Sequence, residues 1–173
     1  QAQLAREAGV EGFCYWHYSE NFCICSTVRE PKLSSDMIQQ VEFSLRPLPR
    51  GFHLVTNEVI RNLPALPKTG ILNLFVRHTS CGLSLNENFD PDVRHDLKGI
   101  FERLVPDGDP RYLHQDEGPT DMSAHAKSSM VGVSLTIPIT NGRLNLGTWQ
   151  GIYLCEFREG GGSRHLIATI IGE

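Results

Sequence analysis

Val133-Ser-Leu-Thr-Ile-Pro-Ile-Thr140, Asn141-Gly142, Arg143-Leu-Asn-Leu146 is the stretch that decides the fold. Apolar and polar side chains alternate on both sides of Asn-Gly, the dipeptide best suited to the positive φ angles of a two-residue hairpin turn. A β-hairpin is expected here. Downstream, Gln150–Phe157, a Gly160-Gly161-Gly162 turn and His165–Ile171 supply two more strands. Upstream, Val41-Glu-Phe-Ser-Leu45 alternates, and Ile71-Leu-Asn-Leu-Phe-Val76 and Leu83-Ser-Leu85 also read as strands. Three helices are expected between them. Thr56 caps a short one over Asn57–Leu63, closed by Pro64 and Pro67, because proline cannot continue the hydrogen-bond ladder. Asp90-Pro91 starts a second, whose Val93, Leu97, Ile100, Phe101 and Leu104 form one apolar stripe to about Val105. A third starts at Asp121, carries His125 and stops at Gly132. About seven strands and two or three helices, without regular βαβ alternation, predict an α+β domain with a compact mixed or antiparallel sheet.

Composition narrows the function. The chain has 173 residues, 40% of them hydrophobic, and a net charge of −4. That length suffices for one domain with a real core. The charge argues against nucleic acid, whose binders concentrate Lys and Arg to neutralise phosphates. No apolar run approaches the ~20 residues of a membrane helix, so no membrane partner is expected. Five cysteines, an odd number, suggest reduced thiols and a cytoplasmic location.

Residues 1–36 read differently from the rest. The chain begins with Gln1 and its first methionine is Met37. Gln1–Gly9 has a helical pattern, Gly12–Tyr18 an aromatic strand pattern, and Cys23-Ile-Cys25 is too closely spaced for a usual zinc pair. The wording of residues 5–18 resembles a segment of WbsX-type proteins, without any sugar chemistry carried over. Residues 1–36 are expected to be an upstream or fused segment, and 37–173 the domain.

Four segments gather polar residues where strands and helices end. They are His78-Thr-Ser-Cys-Gly-Leu-Ser-Leu-Asn-Glu-Asn-Phe-Asp90-Pro91, His114-Gln-Asp-Glu-Gly118, Asp121-Met-Ser-Ala-His-Ala-Lys-Ser-Ser129 and Gly147-Thr-Trp-Gln-Gly-Ile152. Together with Gly162-Ser-Arg-His and the final Ile170-Ile-Gly-Glu, they resemble the YjbQ family, the secondary thiamine-phosphate synthases, over about 37–173. The resemblance implies an α+β fold, a homotrimer and a polar pocket lined by these motifs. It also implies a secondary transferase activity joining a pyrimidine diphosphate to a thiazole phosphate with release of pyrophosphate. Where the commoner family wording is E-G-N-x-A-A-H, this chain reads Glu117-Gly-Pro-Thr-Asp-Met-Ser-Ala-His125, which leaves Asp121 open between ligand contact and helix capping.

Several residues carry the chemistry. His78, His114 and His125 with Glu117 are the donor types of catalytic zinc. A metal-dependent hydrolase or lyase would use the three histidines as ligands and Glu117 as general base. His125 shares a helix face with Asp121 and Ser129. The synthase reading takes Glu87, Glu117 and His125 as catalytic. It gives Ser80, Asn86, Asp90, Lys127, Ser129, Trp149, Gln150 and Arg164 to the substrate, a small phosphorylated or anionic molecule. Glu87, Asp90 and Glu117 would then carry a divalent metal, magnesium or zinc, and Trp149 would wall the ring. A third reading is a non-catalytic trimer that senses a small anion. Cys81 reads as a small buried residue rather than a nucleophile. His78, Glu87, His114, Glu117, His125 and Lys127 are expected to converge on one pocket, since burying each alone would cost several kcal/mol.

Overall fold

The computed structural model describes residues 37–173. The readings made for residues 1–36 lie outside the described residues. In chain order the elements are β1 (Met37–Leu45), β2 (Gly51–Leu54), α1 (Thr56–Asn62), β3 (Thr69–Val76), β4 (Cys81–Glu87), α2 (Pro91–Leu104), α3 (Asp121–Val131), β5 (Ser134–Thr140), β6 (Arg143–Leu144), β7 (Gln150–Glu156) and β8 (Arg164–Gly172). They form two antiparallel sheets, ordered β1-β8-β3-β5-β6 and β2-β7-β4. The α+β class is as the sequence predicts.

The β5–β6 hairpin turns through Asn141 and Gly142 at φ 52° and 73°, the positive pair that the dipeptide favours. An additional strand, β2, lies between the Pro47/Pro49 break and α1, where proline density hides its brief pattern. The Thr56 cap is corrected. Val55 is the N-cap, and Thr56 Oγ1 instead accepts the Ile152 N–H at 2.8 Å, tying α1 to β7. Asp90 does cap α2, accepting from Asp92 N–H at 2.9 Å.

The main core lies between the sheets. Leu72, Leu74, Ile137, Ile139, Leu166 and Ile170 of the large sheet meet Leu83, Ile152 and Leu154 of the small one. The small sheet's other face carries Phe52, Tyr153 and Cys155, covered by Leu97 and Phe101 of α2 and Ala124 and Val131 of α3. β7 is therefore sandwiched on both faces, and Gly151–Glu156 is buried throughout. That is why its sequence runs apolar instead of alternating. Gly82 lets α3 close onto β4: a Cβ there would meet the Gly132 carbonyl oxygen at 2.7 Å and Val131 Cγ1 at 2.9 Å. No helix among the described residues is long and apolar enough to cross a membrane.

Candidate functional site

α3 is fastened along β4 by polar contacts as well as packing. Ser128 Oγ donates to the Cys81 carbonyl at 2.7 Å, His125 Nδ1 to the Thr79 carbonyl at 3.0 Å, and Leu83 N–H to the Gly132 carbonyl at 3.0 Å. This holds Asp121 and His125, one helical turn apart, beside the His78-Thr79-Ser80 turn that enters β4. The loop from 105 to 120 brings in His114. Backbone bonds Gly108 N–H to Pro119 O (2.9 Å) and Gly118 N–H to Gln115 O (3.0 Å) shape it.

The three side chains meet at one oxygen. Asp121 Oδ2 lies 2.8 Å from His114 Nε2 and 3.2 Å from His125 Nε2, with the imidazole centroids 5.5 Å apart. The Asp121 side chain is only 2% exposed. Its other oxygen, Oδ1, pairs with Arg158 just past β7, and Arg158 Nη1 also comes within 3.6 Å of Glu117 Oε2.

Tautomers decide what this arrangement means. A carbonyl can only accept, so the Thr79 contact puts the His125 proton on Nδ1 and leaves a lone pair on Nε2 of the neutral ring. That lone pair and the Asp121 carboxylate are two acceptors 3.2 Å apart. Proximity does not amount to hydrogen bonding here, because Asp121 Oδ2 accepts no hydrogen bond at all. Neither imidazole presents an N–H along the line to it. A buried acceptor without a donor is costly, and a cation among the three groups removes the cost. One donor atom from each of His114, Asp121 and His125 lies within 4.8 Å of the others. Two imidazoles and one carboxylate suit zinc or a neighbouring first-row divalent ion better than magnesium, which prefers oxygen ligands. The Thr79 carbonyl is the kind of outer partner that fixes a metal-binding histidine.

Of the sequence-derived residues, His114 and His125 come together, and Glu117 stands beside them through Arg158. Asp121 joins them as a site carboxylate, while Thr120 occupies the N-cap position. His78 is not in this donor set; its Nδ1 accepts the Ser80 N–H at 3.1 Å. Ser80 is buried and bonds to His78 and Arg164.

The remaining residues part from the site. Arg164 does not extend toward a phosphate through the glycine turn. It is buried in a two-bond ion pair with Glu156, at 2.6 and 2.7 Å, and Gly161 passes so closely that a Cβ there would overlap Arg164 Nη2. Lys127 is buried against Asp107, 3.4 Å away; burial and the Arg50 charge lower its pKa against the pull of Asp107. Ser129 Oγ donates to the His125 carbonyl at 2.9 Å. Glu87 ends β4 at the far end from Cys81, six residues or roughly 20 Å along the strand. Around it Asn86 Oδ1 accepts from Glu87 N–H, Asn88 donates to the Thr148 and Gln150 carbonyls, and Gln150 Oε1 accepts from Gly147 N–H. Trp149 packs edge-on to Phe89 at 5.5 Å, and Asp90 caps α2. These contacts brace the sheet end, so the expectation of a single pocket is corrected to a site that excludes Glu87 and Lys127. Cys81 is buried, and burial pushes its thiol up to about 12, which removes the thiolate a nucleophile needs.

Arg158 was not legible in the sequence, since a single arginine after a strand has no distinguishing pattern. The Thr79 carbonyl is a backbone group and leaves no trace in side-chain identity.

The model of the family described as UPF0047 protein YjbQ-like matches residues 27–173. UPF0047 protein YjbQ of Escherichia coli O157:H7 is 50% identical over 139 residues, covering 79% of this chain and all of that protein. Its Salmonella typhimurium counterpart is 51% identical over the same length. Among solved structures, the conserved hypothetical protein TT1486 of Thermus thermophilus superposes with a TM-score of 0.65 at 38% identity, covering 73% of this chain and 97% of that one. The YbjQ-like protein SSO2532 of Sulfolobus solfataricus P2 shares the fold at a TM-score of 0.68 and 21% identity, over 80% and 99% of the two chains. With the family model spanning most of the sequence, this chain belongs to the YjbQ-like UPF0047 family.

Proposed function

We propose that this protein is a divalent-metal-dependent hydrolase of a small anionic substrate, with the ion held by His114, Asp121 and His125. The observation that carries this reading is Asp121 Oδ2, buried between two imidazole nitrogens and accepting a hydrogen bond from neither. Three protein ligands leave positions for water or substrate, and such an ion brings the pKa of bound water down toward neutrality. Arg158 pairs with Asp121 Oδ1 and orients the carboxylate, leaving Oδ2 toward the two imidazoles. Glu117, exposed and 3.6 Å from Arg158 Nη1, is the carboxylate beside the site that could take up a proton.

The condensation implied by the family resemblance ranks second. It calls for cationic groups on the pyrophosphate leaving group. Lys127, Ser129 and Arg164 already have protein partners.

Metal analysis of the purified protein is the direct test. Wild type is expected to carry zinc or a related ion at about one per chain, and Asp121→Ala or His125→Ala to lose it, as three-ligand sites do. Wild-type protein that stays metal-free after incubation with zinc would sink the reading. A panel of phosphate and carboxylate esters, assayed with and without chelator, then identifies the bond that is hydrolysed.

A further inference from the structure

A hydrogen-bonded chain leads from the interior to His78. Glu156 and Arg164, both almost fully buried, form its inner end through two bonds at 2.6 and 2.7 Å. Arg164 Nη2 donates to Ser80 Oγ at 3.4 Å. The Ser80 hydroxyl, its oxygen taken by that donor, turns its proton to His78 Nδ1 at 3.0 Å, where the Ser80 N–H also donates at 3.1 Å. Two donors on Nδ1 require a lone pair there, so the neutral ring carries its proton on Nε2. Electrostatics favour the same state. Burial and then the Arg164 charge lower the His78 pKa below its ordinary value, against the opposing pull of Glu156.

His78 is thus unlike His114 and His125. Its Nδ1 is occupied and its Nε2 bears hydrogen, which unfits it as a metal ligand in this form and makes it a donor. It is also beside the site. Thr79, the next residue, receives the Nδ1–H of His125, and the Arg158 charge that holds Asp121 also acts on His78. A neutral imidazole N–H presented there has an oxyanion as its natural acceptor, whether phosphate or carboxylate.

We propose that His78 contacts substrate, donating from Nε2–H to an oxyanion held at the His114–Asp121–His125 site, with Ser80, Arg164 and Glu156 as positioning residues that fix its tautomer. This rests on the metal reading above and adds a substrate-binding residue to it. Imidazole ¹⁵N spectra and orthophosphate titrations, each with and without zinc, test it. His78 is expected to show a protonated Nε2 and an unprotonated Nδ1 at neutral pH, and to keep both on zinc loading. His78→Phe is expected to keep zinc at wild-type stoichiometry while weakening orthophosphate binding about tenfold, the loss of a hydrogen bond to a charged group. His78→Gln, whose amide N–H can still donate, is expected to restore most of that affinity and guards against simple misfolding. A proton on Nδ1, a zinc-induced shift of Nε2 typical of a ligand, or unchanged phosphate affinity in His78→Phe would each overturn the proposal. Failure of the metal reading appears separately, as wild-type protein that takes up no zinc. The spectra and the zinc-free titration still decide the role of His78 in that case.

Discussion

Glu156 and Arg164 show how far a single residue can mislead when read without its partner. Arg164 after three glycines has the pattern of a phosphate contact, yet the fold spends it on a carboxylate eight residues earlier. Both side chains are at most 2% exposed, so neither has water to fall back on. Removing one charge strands the other in low dielectric, a penalty of about 3–5 kcal/mol. Glu156→Gln is therefore expected to lower unfolding free energy by roughly 3 kcal/mol, read from urea denaturation monitored by circular dichroism. A change below about 0.5 kcal/mol would mean that the pair is not desolvated as described. Lys127 teaches the same lesson, because its family position suggests a ligand while its amine lies against Asp107. His114, Asp121 and His125 were readable only in part. Residue types suggested metal, but the choice of Asp121 over His78 as candidate third donor depends on where the fold places each group and on the Ser80 N–H that occupies His78 Nδ1.

Elements were more legible than contacts, and the reason is periodicity. The β5–β6 hairpin and α2 declare themselves through alternation, Asn-Gly and Asp-Pro, all local signals. β2 escaped because four residues hold too short a pattern to register. The division into two sheets was also hidden, since pairing partners such as β1 and β8 are far apart in sequence. Joining the elements is the work of a few residues. Asp107, in the loop after α2, accepts from Arg50 at 2.6 Å and from Ser123 of α3, and faces Lys127. Burial pushes its pKa up, but the hydrogen bonds from Arg50 and Ser123 and the Lys127 charge prevail, holding it at about 2 against an ordinary 3.8. The folded state therefore binds this proton less readily than the unfolded chain. Its stabilisation is fully present above about pH 4 and is lost as pH falls toward 2. Discounted for partial exposure, the contribution is on the order of 1 kcal/mol. Asp107→Asn is expected to flatten the acid limb of the stability curve between about pH 4 and pH 2. A variant curve parallel to wild type across that window would refute the assignment. Gly82→Ala tests the α3–β4 approach, with an expected loss of about 1–3 kcal/mol from the clash with Gly132 and Val131.

At the scale of the molecule, α2 and α3 cover the small sheet and α1 packs at the edge of the core, which leaves the outer face of the large sheet without a cover among the described residues. That face is mixed: polar residues such as Gln40, Thr169, Asn73 and Thr136 share it with apolar ones. Ile38 stands opposite Ile171, Ile171 opposite Ile71, and Ile71 opposite Pro138, so one apolar row crosses β1, β8, β3 and β5. Phe75 opposite Ile167 adds a second pair on the same face. Ile38 is 68% exposed, and Ile71, Phe75 and Ile171 are each about 40% exposed. A row of this width is a candidate interaction surface, because contiguous exposed apolar area is costly to leave in water. The homotrimer that the family resemblance implies would cover this row with a second copy of the chain. Light scattering of wild type at micromolar concentration is expected to give the mass of three chains. Ile71→Lys places a charge at the centre of the row, where desolvating it on assembly would cost several kcal/mol. That variant is expected to run as a monomer with its secondary structure intact, since the inward-facing Leu72 and Leu74 are untouched. A wild-type monomer would remove the assembly altogether. A trimer that survives Ile71→Lys with unchanged affinity would move the interface to another face of the molecule.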